Sequence, residues 1–402
     1  MSKTIVFLTD GMADEPLAEL DGKTPLEHAH TPYMDSIASK GASGTFLSLP
    51  DGFPTSSDVA NMSVLGYDLA TNYTGRGPLE ACSQGIELAP DDVAFRCNLV
   101  EVNDDDILLD YSGGHIEHHD ALTLIQALKD EFDCAEFTFH PGVSYRNLLI
   151  MHGRQFTDQV LYEKPDASQD MNIHGILLRP ANDSKEAAHT AEFLNSLTLR
   201  TRSFLNAHPY NQGRPHPANM IFPWSPGKKP SMQPFASKYG RKGAIISAVD
   251  VIFGLGVCAD MTIIKVPGAT GFVDTNYEGK ADAAVKALNE HDFVYLHVEA
   301  ADECSHMGDL ELKLRAITDI DKRLVGRVLE QIDDQDITFA VLPDHPVPLK
   351  QRIHTRTPVP VSVCGPHIAP DTIQTYSETL APTGSLGHFT GDGLMKKIMN
   401  LD

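Results

Sequence analysis

Three unbroken apolar runs limit what this chain can fold into. TIVFLT (Thr4 to Thr9), FVYLHV (Phe293 to Val298) and ITFAVL (Ile337 to Leu342) show no polar and apolar alternation. A strand with one face in water alternates, whereas a strand covered on both faces reads as continuous. Helical patterns follow the strands. Thr31-Pro32, then Tyr33, Met34, Ile37 and Ala38, then Gly41 supply a cap residue, a first-turn proline and a terminating glycine. After FVYLHV a long stretch puts Leu310, Leu314, Ile317, Leu324 and Val328 on one helix face. The expectation is an α/β fold, a mostly parallel sheet sandwiched by helices.

A second texture interrupts this pattern. CNLVEV, AEFTFH and YRNLLIM look like short, half-exposed strands, with a helix from His119 to Phe132 among them. We expect a smaller α+β cap domain inserted at residues 91-184, with residues 1-90 and 185-402 forming a discontinuous core and the helix after Ser184 returning to that core.

Charge and cysteine usage narrow the function. A formal charge of −23, from 55 acids against 32 bases, argues against nucleic acid or an anionic membrane as partner and for a small-molecule substrate. The six cysteines form no CxxC pair, which points to a reducing compartment. The N-terminal apolar stretch is too short for a signal-peptide core and no run approaches a membrane span, so the expected location is cytoplasmic. Composition sets no oligomeric state.

Sites in open parallel sheets form beyond the carboxyl ends of the strands. The first run ends at Asp10; FVYLHV leads into EAADECSHMGD, where Asp302 and His306 are four apart on one helix face; ITFAVL delivers Asp344 and His345; His354 precedes a further strand, VPVSV. Any one of the 18 histidines is more often a surface or capping residue. Ligands at successive strand ends make a joint case. Three carboxylates and three imidazoles suit a pair of divalent ions such as Mn²⁺ or Zn²⁺ better than Ca²⁺ or an iron–sulfur cluster. In FPTSSDVANMSVLGYD, a hydroxyl at a helix N-terminus beside a metal would make a nucleophile for phosphate. Thr55, Ser56 or Ser57 would equally serve as a helix cap, and the local pattern does not choose among them.

An ordered series of motifs then resembles a known family from end to end: TDGMAD (Thr9 to Asp14), KTPLEHAHTPYMDSIASKG (Lys23 to Gly41), TSSDVANMSVLGYD (Thr55 to Asp68), YTGRGPLEA (Tyr73 to Ala81), FRCNL (Phe95 to Leu99), GVSYR (Gly142 to Arg146), KYGRKGAIISAVDVIFGLG (Lys238 to Gly256), DECSH (Asp302 to His306), PDH (Pro343 to His345) and HTRTPVPV (His354 to Val361). The chain resembles the cofactor-independent phosphoglycerate mutases in their archaeal-type branch, within the alkaline phosphatase superfamily. The resemblance implies that Ser57 is transiently phosphorylated. It implies that Asp10, Ser57, Asp344 and His345 hold one ion while Asp302, His306 and His354 hold the other, the metals being Mn²⁺, Zn²⁺ or Mg²⁺, with no bisphosphoglycerate required.

The implied substrate is a small phosphorylated anion, 3-phosphoglycerate, whose phosphate shifts to give the 2-isomer. Gripping it requires cations, and Arg146, Arg96, Arg214 and Lys238 are the candidates in that order, while Arg76 in TGRGP is as readily turn scaffolding as a further grip. Two segments depart from the family pattern. DYSGGHI (Asp110 to Ile116) lacks an expected arginine, and KPDASQD (Lys164 to Asp170) stands in place of a Pro-His-Asp motif. Those departures keep a homoserine kinase-like phosphotransferase of threonine biosynthesis, or a metal-dependent phosphatase, as the alternatives.

Overall fold

The computed structural model describes residues 3–332 and 336–401. They form two compact units, one from residues 1–73 and 231–402, the other from residues 74–230.

The first unit is built on an eight-stranded sheet, ordered Thr262–Lys265, Gly243–Ser247, Phe293–Val298, Lys3–Thr9, Ile337–Leu342, Val359–Cys364, Ala42–Phe46 and Gly387–Phe389. The first five strands are parallel, and Val359–Cys364 runs antiparallel to both of its neighbours. The three apolar runs are the three central strands, as their lack of alternation predicts. Leu8 is opposite His297 on one side and Leu342 on the other, so the strands end together. That register sets the residues that follow them along one edge.

The helix Pro32–Lys40 begins and ends as read, with Gly41 at its C-cap. Thr31, however, makes no side-chain cap. The free N–H groups of its first turn are taken by Asp321, whose carboxylate accepts from Tyr33 N (3.1 Å) and Met34 N (2.8 Å). The stripe read after FVYLHV also divides. Helix Ala300–Met307 stops at Gly308, helix Leu310–Asp319 follows, and a π-helical segment, Ile320–Gly326, widens the next turn. Leu310 and Leu314 therefore pack with Leu17, Leu20 and Leu349, whereas Ile317, Leu324 and Val328 enter the main core.

The second unit carries a five-stranded antiparallel sheet in which Val93–Val102 is central, flanked by Arg146–Met151 and Met220–Gly227. Its limits differ from the expected 91-184. Helix Lys185–Ala207 buries Ala191, Leu194, Leu197 and Leu205 against this sheet, in one cluster with Leu124, Ile125 and Leu128 of helix His118–Phe132, so it does not return to the core of the first unit. Nor is Val93–Val102 half-exposed: every residue is buried, because helices cover one face and helix Arg76–Ser83 packs on the other.

Candidate metal centre

The aligned strand ends of the first unit bring the acids and histidines together. Asp10, Asp344 and His345 are buried, and each offers a ligand atom within 4.8 Å of the others. His345 Nε2 lies 3.5 Å from Asp10 Oδ1, 3.3 Å from Asp344 Oδ2 and 3.2 Å from Ser57 Oγ. Beside this group, Asp302 Oδ2 is 3.4 Å from His306 Nε2, Asp302 Oδ1 is 3.6 Å from His354 Nε2, and the two histidine nitrogens are 2.9 Å apart. His345 adjoins both groups, its ring stacked 3.8 Å from that of His354. All six sequence-derived ligands and Ser57 thus share one cluster.

Ser57 is the first residue of helix Ser57–Val64, with Ser56 at the N-cap position and making no cap bond. Of the three hydroxyls that the sequence leaves open, Ser57 is the one that reaches His345. Gly11 is required by the same crowding. It sits at φ +63°, and a Cβ there would fall 2.5 Å from the Asp302 Cα.

The donor set fits divalent cations. Burial pushes the Asp10 carboxyl well above its ordinary value, and Asp344 and Asp302 push it further. Burial likewise raises Asp344 to about 7, with Asp302 adding to the effect. Three acids crowded out of water repel one another, and such a cluster calls for positive charge. The imidazoles do not supply it all, because burial holds His345 well below its usual value. Asp10 Oδ1 and Asp302 Oδ1 are buried without a hydrogen-bond partner among the described residues, which is how an oxygen reserved for a metal presents itself.

Sequence reasoning missed the residues that hold these ligands. His297 Nε2 donates to Asp10 Oδ2 at 2.9 Å, and its Nδ1 accepts from Ser247 Oγ at 2.9 Å. Burial pushes that imidazole down to about 3, so it is neutral. Asn61 Nδ2 donates to Asp344 Oδ2 at 2.8 Å, and Tyr295 OH donates to Asn61 Oδ1 at 2.7 Å. His306 Nδ1 faces the Arg352 carbonyl at 2.9 Å, which fixes its tautomer and leaves Nε2 for a ligand role. The available signal was a histidine and a tyrosine inside an otherwise apolar strand, and an asparagine one helical turn after Ser57.

The family model for 2,3-bisphosphoglycerate-independent phosphoglycerate mutase matches residues 38–211. A protein of that name from Methanothermobacter thermautotrophicus is 46% identical, over 99% of this chain and 97% of the relative. The chain belongs to this family. A further mutase relative, in Geobacter sulfurreducens, is 46% identical over 89% of each chain. Among solved structures, a protein from Pyrococcus horikoshii superposes with a TM-score of 0.83 at 26% identity, covering 99% of this chain and 97% of that one. A cofactor-independent phosphoglycerate mutase from Thermoplasma acidophilum gives 0.69 at 28% identity, covering 100% of this chain and 99% of that one. The Methanothermobacter and Geobacter relatives are both named as mutases.

Within this mutase-family chain the four candidate cations differ in setting. Arg96 is buried, its guanidinium 4.4 Å over Trp224. Arg146 shares its sheet face and lies 4.7 Å over Tyr145. Arg214 has local partners, the Tyr210 ring at 3.6 Å and Asp120 at 3.5 Å. Lys238, in the first unit, sits 5.0 Å over Tyr239. No helix among the described residues is long and apolar enough to cross a membrane.

Proposed function

We propose that the chain interconverts 3-phosphoglycerate and 2-phosphoglycerate through a phosphoserine at Ser57, without bisphosphoglycerate. The observation that carries this reading is Ser57 Oγ at 3.2 Å from His345 Nε2, beside two groups of metal-type donors. Asp10, Asp344 and His345 with Ser57 would hold one divalent ion, and Asp302, His306 and His354 the other; Mn²⁺ and Zn²⁺ suit the set, and Mg²⁺ is the third choice. When bound, the ions acidify the serine hydroxyl and neutralise charge on the transferring phosphoryl oxygens.

The chain's own groups do the rest. Ser57 Oγ attacks phosphorus as the bond to the glycerate oxygen breaks, and the proton lost by the serine is balanced by one taken up by the leaving oxygen. The glycerate turns without leaving, and its other hydroxyl attacks the phosphoserine with the reverse proton balance. Backbone N–H groups of the first turn of Ser57–Val64 favour the phosphate. Cations must hold the glycerate carboxylate meanwhile, for which Arg96 and Arg146 are the leading candidates, ahead of Arg214 and Lys238.

The test is conversion of 3-phosphoglycerate by the Mn²⁺-loaded protein with no bisphosphoglycerate added, followed by coupled detection of the 2-isomer. Absence of turnover overturns the reading. Ser57→Ala should lower kcat by at least about 10³-fold, and ³²P should appear on Ser57 of the wild type after acid quench.

A further inference from the structure

The segment that leads into Ser57 is held from outside itself. Residues 47–56 join strand Ala42–Phe46 to helix Ser57–Val64 and carry no helix or strand. Ser56 sits at the N-cap without a cap bond, and its buried Oγ has no hydrogen-bond partner among the described residues. Leu47 N is tied to the Phe389 carbonyl. Beyond that point, the backbone hydrogen bonds of residues 48–55 among the described residues all come from one distant side chain. Leu49 is buried and Phe53 meets Tyr73 edge-on at 6.2 Å, but apolar burial is non-directional and does not fix the path of the backbone.

That side chain is Arg356, two residues after His354 in the HTRTPVP segment. Its Nη1 donates to the carbonyls of Leu49 at 3.2 Å and Pro50 at 2.6 Å, and its Nη2 to that of Phe53 at 2.6 Å. An arginine fork that serves an ion pair meets a carboxylate with two parallel bonds. Here both Nη groups go to backbone oxygens. The one acid paired with Arg356 among the described residues, Asp51, stands 3.7 Å from Nε with its side chain wholly in solvent, where such a pair contributes little. The guanidinium thus gathers three peptide carbonyls that have no other partner among the described residues, the last of them four residues before Ser57. Its own backbone is anchored beside the metal donors. Thr355 N donates to the Pro346 carbonyl at 3.1 Å, and His354 Nε2 lies 2.9 Å from His306 Nε2. Arg356 therefore joins the segment bearing a candidate ligand to the segment delivering the nucleophile, all within the first unit.

We propose that Arg356 is a positioning residue for phosphoryl transfer: by clamping the Leu49, Pro50 and Phe53 carbonyls it sets where Ser57 Oγ stands against the metal donors. This rests on the mutase reading, in which Ser57 is the attacking group. The role needs no contact with substrate or ion. It acts on rate rather than on affinity, because a reacting atom misplaced by about 1 Å costs about 100-fold. Lysine replaces it only in part, since a single ammonium on a flexible stem lacks the rigid fork that spans these oxygens.

The experiment measures kcat and KM for 3-phosphoglycerate with the Mn²⁺-loaded wild type, Arg356→Gln, Arg356→Lys and Asp51→Asn, together with Mn²⁺ content and thermal unfolding. Arg356→Gln should lower kcat about 10- to 100-fold while KM and Mn²⁺ content stay close to wild type. Arg356→Lys should fall between the two, and Asp51→Asn should match the wild type. An unchanged kcat in folded Arg356→Gln overturns the proposal, and so does a loss confined to KM or one that follows a loss of Mn²⁺. An equal loss in Asp51→Asn overturns it as well, by assigning the effect to the exposed ion pair. If Arg356→Gln does not fold, Arg356→Lys is read by the same criteria. A wild type that fails to convert 3-phosphoglycerate refutes the mutase reading instead. Crystal structures of the Mn²⁺-loaded wild type and variant then decide this proposal without turnover, a shift of Ser57 Oγ relative to His345 Nε2 supporting it and an unmoved Ser57 overturning it.

Discussion

His297 donates to one oxygen of Asp10, while the other has no hydrogen-bond partner among the described residues, so a single side chain aims a carboxylate and leaves lone pairs for a cation. Outer partners of this kind fix ligand orientation, and their loss costs about 10- to 100-fold in metal affinity. His297→Phe should therefore fold but bind Mn²⁺ more weakly by that factor in equilibrium dialysis, and unchanged affinity would contradict the assignment. Gly11 makes a harsher case. Alanine there meets both a left-handed backbone and the Asp302 Cα at 2.5 Å. Strain of about 1–3 kcal/mol and displacement of Asp302 should together lower thermal stability and metal content, whereas a Gly11→Ala protein with wild-type metal content would remove the close-approach argument. Most of the candidate ligands were legible because they follow the end of an apolar strand, directly or on the next helix; His354 instead precedes one. His297 was not, because motif reading looks past strand ends and treats a strand interior as packing.

At the scale of elements, a buried lysine ties together the two turns that present the first ligand group. Lys313 Nζ donates to Asp14 Oδ2 at 2.7 Å and to the Val347 carbonyl at 3.1 Å, and both of its partners lie within a few residues of Asp10 and His345. Both charged side chains are fully buried, and burial lowers the Lys313 pKa against the pull of Asp14. Removing one member strands the other charge out of water, at a cost of about 3–5 kcal/mol. Lys313→Met should lower the melting temperature sharply, and the double variant with Asp14→Leu should recover part of the loss; a single variant as stable as wild type would show the pair to be idle. The existence and limits of helix Pro32–Lys40 were readable from its proline and glycine. Its true cap was not, since Asp321 lies 287 residues beyond Met34. Local sequence carries caps only when they are local. The same holds for helix Lys185–Ala207, whose amphipathic pattern announces a buried face without saying which sheet receives it.

Across the whole molecule, the first unit is assembled from both ends of the chain, and its candidate ligands come from residues 10, 57, 302, 306, 344, 345 and 354. A cation held by such distant segments binds the folded state and not the unfolded chain, so it acts as a staple worth RT ln(1 + [M]/Kd), about 4 kcal/mol at a thousandfold excess over Kd. The protonation of Asp10 and Asp344 sets when that staple works. Both carboxyls are raised in the folded state, chiefly by burial, with Asp344 and Asp302 adding to the effect at Asp10 and Asp302 adding to it at Asp344, which rises to about 7 despite a hydrogen bond with Asp10 that opposes it. A raised carboxyl favours folding while it is protonated. That contribution is complete below the unfolded value of about 4 and is lost as pH rises through the folded value. The metal-free protein should therefore lose stability as pH climbs from about 6 to 8, while the cation, which needs the deprotonated ligands, binds better over the same range. The gap between melting temperatures with Mn²⁺ and with chelator should widen from pH 6 to pH 8, and a gap that is constant or narrows would mean that these acids do not bind the metal in competition with protons.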